Sequence, residues 1–170
     1  MRHTDPSDES KIDRRSFVGA LGVVIAGLAL TSAKALTKPV PAGHVEHSPA
    51  DWRRLLGPDR FAVLREAATE PPFSSALLNE HRHGVFRCAG CSLPLYSSGT
   101  KFDSGTGWPS FWQSLAHSID TRADHSDFMS RTEVLCARCE SHLGHVFDDG
   151  PRPTGLRYCM NGLALQFTPV

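Results

Sequence analysis

The sequence predicts an α+β domain dominated by antiparallel β-structure, and three observations carry that reading. Short capped apolar segments lie between residues 48 and 79. Many short strand-like runs divided by Gly, Pro, Ser and Asp follow from Gly84 onward. Two Cys-x-x-Cys pairs punctuate that second part. A chain of 170 residues suits about one domain. Its 18 Lys and Arg balance 18 Asp and Glu, which argues against a phosphate backbone as partner, so no nucleic acid is expected. Apolar residues make up 40%, enough for one core but a lean one, and the five cysteines are the candidates to supplement it.

Residues 1–35 have the layout of an export signal. A polar, charged stretch leads to Arg14-Arg15-Ser16-Phe17-Val18-Gly19, then an uncharged run to Leu30 and the small-residue site Ala33-Lys34-Ala35. That run is too short for a membrane span of about 20 residues. The paired arginines resemble the twin-arginine export signal. Cleavage after Ala35 leaves 135 residues with 13 basic and 14 acidic side chains. The expected location is therefore periplasmic, with membrane contact only during export; an uncleaved N-terminal anchor is the alternative. Twin-arginine cargo travels already folded, which suits a protein that loads a metal in the cytoplasm.

Residues 36–47 hold two prolines, a glycine and two histidines without periodicity and read as a linker, so the domain occupies 48–170. Ser48-Pro49-Ala50-Asp51 opens a helix, with Ser as cap, Pro at the first helical position and an acid three after the cap. Trp52, Leu55 and Leu56 follow at helical spacing. Gly57-Pro58 breaks this helix, and Phe61, Leu64, Ala67 and Ala68 mark a second that Pro71-Pro72 ends. A third short helix is expected from Ser74 to Asn79. Strands are expected at Val85 to Arg87, Leu93 to Tyr96, Thr132 to Leu135, His145 to Phe147 and Leu156 to Phe167. In the last, Leu163, Leu165 and Phe167 would share one face. No repeat of fixed period is present, and no heptad or apolar patch demands a second copy, so a monomer is expected.

Cys88-Ala89-Gly90-Cys91 and Cys136-Ala137-Arg138-Cys139 share a spacing that lets both sulfurs of each pair turn onto one tetrahedral ion. Two such knuckles close the shell, the pattern of a structural zinc. The 44 residues between them exceed the usual zinc-ribbon gap, so one ion would staple distant parts of a small domain. The alternative is disulfides or a thioredoxin-like redox pair, since the compartment after export is oxidising.

Cys159 is the thiol left over, in Arg157-Tyr158-Cys159-Met160-Asn161. A lone thiol in an oxidising compartment is a liability unless buried or used. Arg157 and Asn161 lie two residues to either side and share its face on a strand. His142 and His145 directly follow the second knuckle, where a metal would hold them in place. A histidine beside a thiol can take or deliver its proton.

Lys101-Phe102-Asp103-Ser104-Gly105, Gly107-Trp108-Pro109-Ser110-Phe111, Arg131-Thr132-Glu133-Val134, His142 through Gly150 (HLGHVFDDG) and Gly155-Leu156-Arg157-Tyr158-Cys159, with both knuckles in register, resemble the B-class methionine sulfoxide reductases over roughly residues 51–168. The resemblance implies two antiparallel sheets, one structural zinc and reduction of the R epimer of methionine sulfoxide in oxidised proteins. It makes Cys159 the nucleophile and Trp108 the holder of the substrate's ε-methyl group. It assigns the sulfoxide oxygen to His142, His145 and Asn161, directly or through water, with Asp148 and Arg157 in support from further out. Many family members carry a resolving cysteine just before Gly-Trp-Pro-Ser, where this chain has Thr106. A single-cysteine cycle is the expectation, closed by a thioredoxin-like protein or a membrane thiol reductase. Two other readings compete: a zinc-stapled binding module without chemistry, and a different thiol enzyme acting on peroxides or disulfides.

Overall fold

The structure, a computed structural model, describes residues 43–126 and 129–170. The expected signal segment and most of the expected linker lie outside the described residues.

The helix α1 (Pro49–Glu66) is bent where the sequence places its break: Gly57 takes φ 70° and ψ 173°, and Pro58 restarts the coil. Ser48 caps it by accepting from the Asp51 N–H. It stops sooner than expected. Ala67 takes a left-handed φ of 54°, which ends the helix before the prolines, and Ala67 and Ala68 are exposed instead of continuing the buried face of Phe61 and Leu64. The third expected helix is a single 3-10 turn, Ala76–Asn79, capped by Ser75.

Nine strands among the described residues form two sheets. They are β1 (Gly84–Cys88), β2 (Pro94–Ser97), β3 (Lys101–Phe102), β4 (Ser110–Phe111), β5 (Ile119–Asp124), β6 (Arg131–Cys136), β7 (His142–Phe147), β8 (Arg157–Met160) and β9 (Leu165–Pro169). All pairings are antiparallel, in the orders β2-β1-β9 and β3-β4-β8-β7-β6-β5. The core between them stacks Tyr96 on Phe111, ring centroids 4.3 Å apart, and the Tyr96 hydroxyl donates to the Met160 sulfur at 3.1 Å. Trp52, Phe61 and Leu64 of α1 complete it.

The expected long final strand is two strands in different sheets. A 3-10 turn, Gly162–Ala164, carries the chain from β8 in one sheet to β9 in the other, and Leu163 belongs to the turn. Three strands escaped the sequence pattern for plain reasons. β3 and β4 have two residues each, too few to show alternation. The edge strand β5, Ile-Asp-Thr-Arg-Ala-Asp, has no buried face to encode, and its charges blunt the open edge.

β7 departs from regular geometry at Gly144, whose φ is 154°. A Cβ there would stand 2.2 Å from the Cys159 carbonyl oxygen and 2.9 Å from Met160 Cα. The pairing with β6 slips at the same place: Val134 opposes Gly144 and Leu135 opposes His142, so Leu143 is an extra, bulged residue on β7. Residues three apart on a regular strand face opposite sides, yet the His142 and His145 rings end 5.5 Å apart. We expect Gly144→Ala to destabilise the protein by about 3 kcal/mol through backbone strain and collision. Urea unfolding measures this.

Candidate active site

The two knuckles meet. The sulfurs of Cys88, Cys91, Cys136 and Cys139 all lie within 4.8 Å of one another, with Cys88–Cys139 at 3.6 Å and Cys91–Cys136 at 3.5 Å. Those contacts are far longer than the disulfide bond of about 2.05 Å. They are close to the separation of about 3.8 Å that tetrahedral ligation at 2.3 Å would set. Both knuckles use the same backbone turn. Ser92 (φ 61°) and Glu140 (φ 55°) follow the second cysteines, and their N–H groups donate to the Cys88 and Cys136 carbonyls at 2.8 and 2.9 Å. The clustered sulfurs perturb one another: hydrogen bonding to Cys136 pushes the Cys88 thiol up, and hydrogen bonding from Cys136 and Cys88 pulls Cys139 down. A cation among them would relieve that competition by taking all four as thiolates.

Cys159 lies elsewhere, mid-sheet on β8, with Ser110 of β4 and His145 of β7 as its cross-strand neighbours. Side chains of directly opposed residues share a face. The thiol lines a cavity of about 130 Å3 together with Thr69, Trp108, Arg131, His145, Phe147 and Asn161. The Trp108 ring is fixed by donation from Nε1 to the Glu70 carbonyl at 3.1 Å. Arg157 shares the strand of Cys159; its guanidinium lies 4.4 Å from the Phe147 ring centroid and makes two hydrogen bonds of 2.8 Å to Asp149. The Asp149 bond raises the proton affinity of Arg157, with a smaller contribution from the Cys159 sulfur.

Each histidine is held by its own carboxylate. His145 Nε2 is 2.7 Å from Asp124 Oδ2. Hydrogen bonds from Ser126 first, then His145 and the Arg131 charge, hold Asp124 well below the usual carboxylate range. His142 Nδ1 is 2.7 Å from Glu133 Oε1, and burial lowers the proton affinity of His142 against the opposing pull of Glu133. A neutral ring with Nδ1–H toward Glu133 leaves Nε2 to accept from Asn161 Nδ2 at 3.5 Å. Asn161 Oδ1 accepts from the Glu70 N–H at 3.0 Å, so the amide orientation is consistent throughout.

A family model described as the SelR domain matches residues 56–169. A peptide methionine sulfoxide reductase MsrB of Thiobacillus denitrificans is 54% identical over 121 residues, 71% of this chain and 92% of the relative. One of the same name from Bradyrhizobium diazoefficiens is 57% identical over 123 residues, covering 72% and 88%. Another from Methanosarcina mazei is 50% identical over 125 residues, covering 73% and 89%. The chain belongs to the MsrB family of oxidoreductases.

In this MsrB chain the fold gathers Cys159, Trp108, His145 and Asn161 around one cavity. His142 is not among the residues lining it; 4% exposed, it stands behind Asn161. Asp148 is exposed, and the carboxylate that holds Arg157 is its neighbour Asp149. Sequence reasoning missed Asp124, Glu133 and Glu70. Glu133 was readable in principle as an acid inside an apolar strand, whereas nothing local marks Glu70 or Asp124. Glu70 is 4% exposed, and its carboxylate accepts from the N–H groups of Gly162 and Leu163 at the turn between the sheets. With its backbone also holding Asn161 and Trp108, one residue ties two walls of the cavity. In nitrogen-15 NMR of the ring, His142 is expected as the neutral Nδ1–H tautomer at pH 7. Glu133→Gln should move its titration to still lower pH, because the carboxylate that favours the imidazolium is gone.

Proposed function

We propose that this MsrB chain reduces the R epimer of methionine sulfoxide in oxidised proteins, with Cys159 as nucleophile and an external thiol closing the cycle. What carries this is a thiol set in a small cavity between an indole wall and a histidine braced by a carboxylate. A sulfoxide sulfur becomes electrophilic as its oxygen is protonated, so a thiolate and a proton donor must face the same space. Cys159 and His145, opposed on paired strands, meet that requirement. His145 delivers the proton, and Asp124 holds the ring and the charge it carries. Trp108 receives the ε-methyl group beside the polarised sulfur. Asn161, oriented by His142, takes the sulfoxide oxygen directly or through water. Arg157 adds a fixed positive charge near the sulfur.

The substrate's S–O bond breaks as an S–O bond to Cys159 Sγ forms, and methionine leaves. The substrate sulfur gains two electrons and Cys159 loses two, becoming a sulfenic acid whose hydrogen replaces that of the thiol. Two external thiols then return Cys159 to the thiol, releasing water and becoming a disulfide. Thr106 stands where a resolving cysteine would stand, and the remaining four cysteines are gathered in the cluster. Zinc suits that cluster: four thiolates form a closed shell whose contribution is structural. The twin-arginine-like segment supports export to the periplasm, where a thioredoxin-like protein or a membrane reductase would supply electrons. N-terminal anchoring is the other placement that this segment supports.

Dithiothreitol-dependent turnover should be confined to the R epimer of a blocked methionine sulfoxide; turnover of S alone would overturn the assignment. Cys159→Ser is expected to lose about a thousandfold or more in turnover while keeping one equivalent of zinc, and wild-type turnover in that variant would refute the nucleophile. After one equivalent of substrate, mass analysis should find a trapped sulfenic acid, and a stoichiometric internal disulfide would contradict the single-cysteine cycle. Stripping the zinc should cost several kcal/mol of stability, because the free energy of metal binding feeds into folding, read as a lower thermal midpoint.

A further inference from the structure

Cys159 has a neighbour that the reaction above does not use. Thr106 Oγ1 lies 3.7 Å from its sulfur, within hydrogen-bonding reach for sulfur. A file of hydroxyls runs on from there: Thr106 to Ser104 at 2.8 Å, Ser104 to Ser110 at 2.7 Å, and Ser110 to the Trp108 carbonyl at 3.1 Å. Ser110 is fully buried and is also the cross-strand partner of Cys159.

Each hydroxyl owns one hydrogen, and a carbonyl only accepts. With Cys159 as a thiol, four hydrogens serve the four contacts in one direction: sulfur to Thr106, Thr106 to Ser104, Ser104 to Ser110, Ser110 to the carbonyl. Thr106 has then spent its hydrogen on Ser104 and accepts from the sulfur. A thiolate can only accept, so Thr106 must turn to donate to it; the 2.8 and 2.7 Å hydroxyl contacts then stay filled when Ser104 turns to donate to Thr106 and Ser110 to Ser104. Reversal gives up the bond to the Trp108 carbonyl and places a donor on an anion. Hydrogen bonds to ionised acceptors are about twice as strong as neutral ones, so the exchange favours the thiolate over a site lacking the hydroxyl.

We propose that the Thr106 hydroxyl is a reversible partner of the nucleophile, accepting from the thiol and, through rotation of the Ser104 and Ser110 hydroxyls, donating to the thiolate. This rests on the reading of Cys159 as nucleophile. No O–H bond breaks along the file; each hydroxyl turns with its own hydrogen, and the thiol's proton leaves through the cavity. A cysteine at position 106 would be a much weaker donor, so threonine here is more than the absence of a resolving thiol. The other charged groups at the sulfur's cavity are Arg157 on β8, His145 on β7 and Arg131 on β6, with Asp149 and Asp124 behind them. None of them changes in the variants below.

The test is iodoacetamide alkylation of Cys159 in the zinc-loaded full chain, followed by peptide mass analysis across pH. On the rising limb of the profile, Thr106→Val should slow alkylation about tenfold, with the high-pH plateau within about twofold of wild type. Thr106→Ser should restore the wild-type profile. Ser110→Ala should act in the opposite sense, speeding alkylation about threefold, because Ser104 is released to donate to Thr106 and reversal no longer sacrifices a bond. A purely structural role would not produce opposite signs. Thr106 is only partly buried, and should Val fail to retain zinc, Thr106→Ala carries the same expectation. Superimposable profiles for wild type and the Thr106 variants, or slower alkylation in Ser110→Ala, overturn the proposal. The assay contains no sulfoxide, so it reads the hydroxyl file alone; failure of the nucleophile reading would appear instead as turnover surviving in Cys159→Ser.

Discussion

The four-sulfur cluster is the constraint on which the remainder of the molecule depends. Cys88 ends β1 in the three-stranded sheet, and Cys136 ends β6 in the six-stranded sheet, so the cluster joins the two sheets. The helix is drawn into the same junction: Arg65 donates to the Cys139 carbonyl at 2.9 Å and to Ser141 Oγ at 3.2 Å, and its guanidinium lies 5.0 Å from the Trp52 ring centroid. Two antiparallel sheets of short strands bury limited apolar area, and small domains of this kind gain from a metal staple. The strand that leaves the second knuckle is β7, which carries both site histidines. The four-sulfur cluster and histidine placement are therefore mechanically continuous.

A second junction between the sheets lies where the chain crosses from β8 to β9. Asn161 begins the turn, and Glu70 closes it by accepting from Gly162 and Leu163. Since Glu70 also fixes Asn161 and Trp108 through its own backbone, the crossing and the cavity wall form one hydrogen-bonded unit. A buried carboxylate is costly unless its lone pairs are satisfied, and here two peptide N–H groups satisfy them. The placement of Trp108 and Asn161 at the cavity thus derives from a residue far from both in sequence.

The fold separates two histidines that look alike in sequence. His145 borders the cavity and is braced by Asp124, itself stabilised as an anion by Ser126 and Arg131. His142 is enclosed, kept neutral by burial and spent on orienting an amide. One ring thereby faces the cavity and the other orients an amide, a division set by environment and not by residue type.

Local signals in the sequence determined a great deal. Capping at Ser48 and the Gly57-Pro58 break located the bent helix. Cysteine spacing announced the four-sulfur cluster, and the surroundings of Cys159 set that thiol apart, because such signals depend on a few adjacent residues and survive any packing. What only the tertiary structure decided is longer in range. The turn splitting residues 156–167 between two sheets, the choice of Asp149 over Asp148 as partner to Arg157, and the arrival of Glu70, Glu133 and Asp124 at the site all depend on strand pairing. The same holds for the two histidines sharing a side, which needs the irregularity at Gly144 and the extra residue, Leu143, beside it on β7. Register is set by the fit of whole faces against the core, so no short stretch of sequence contains it.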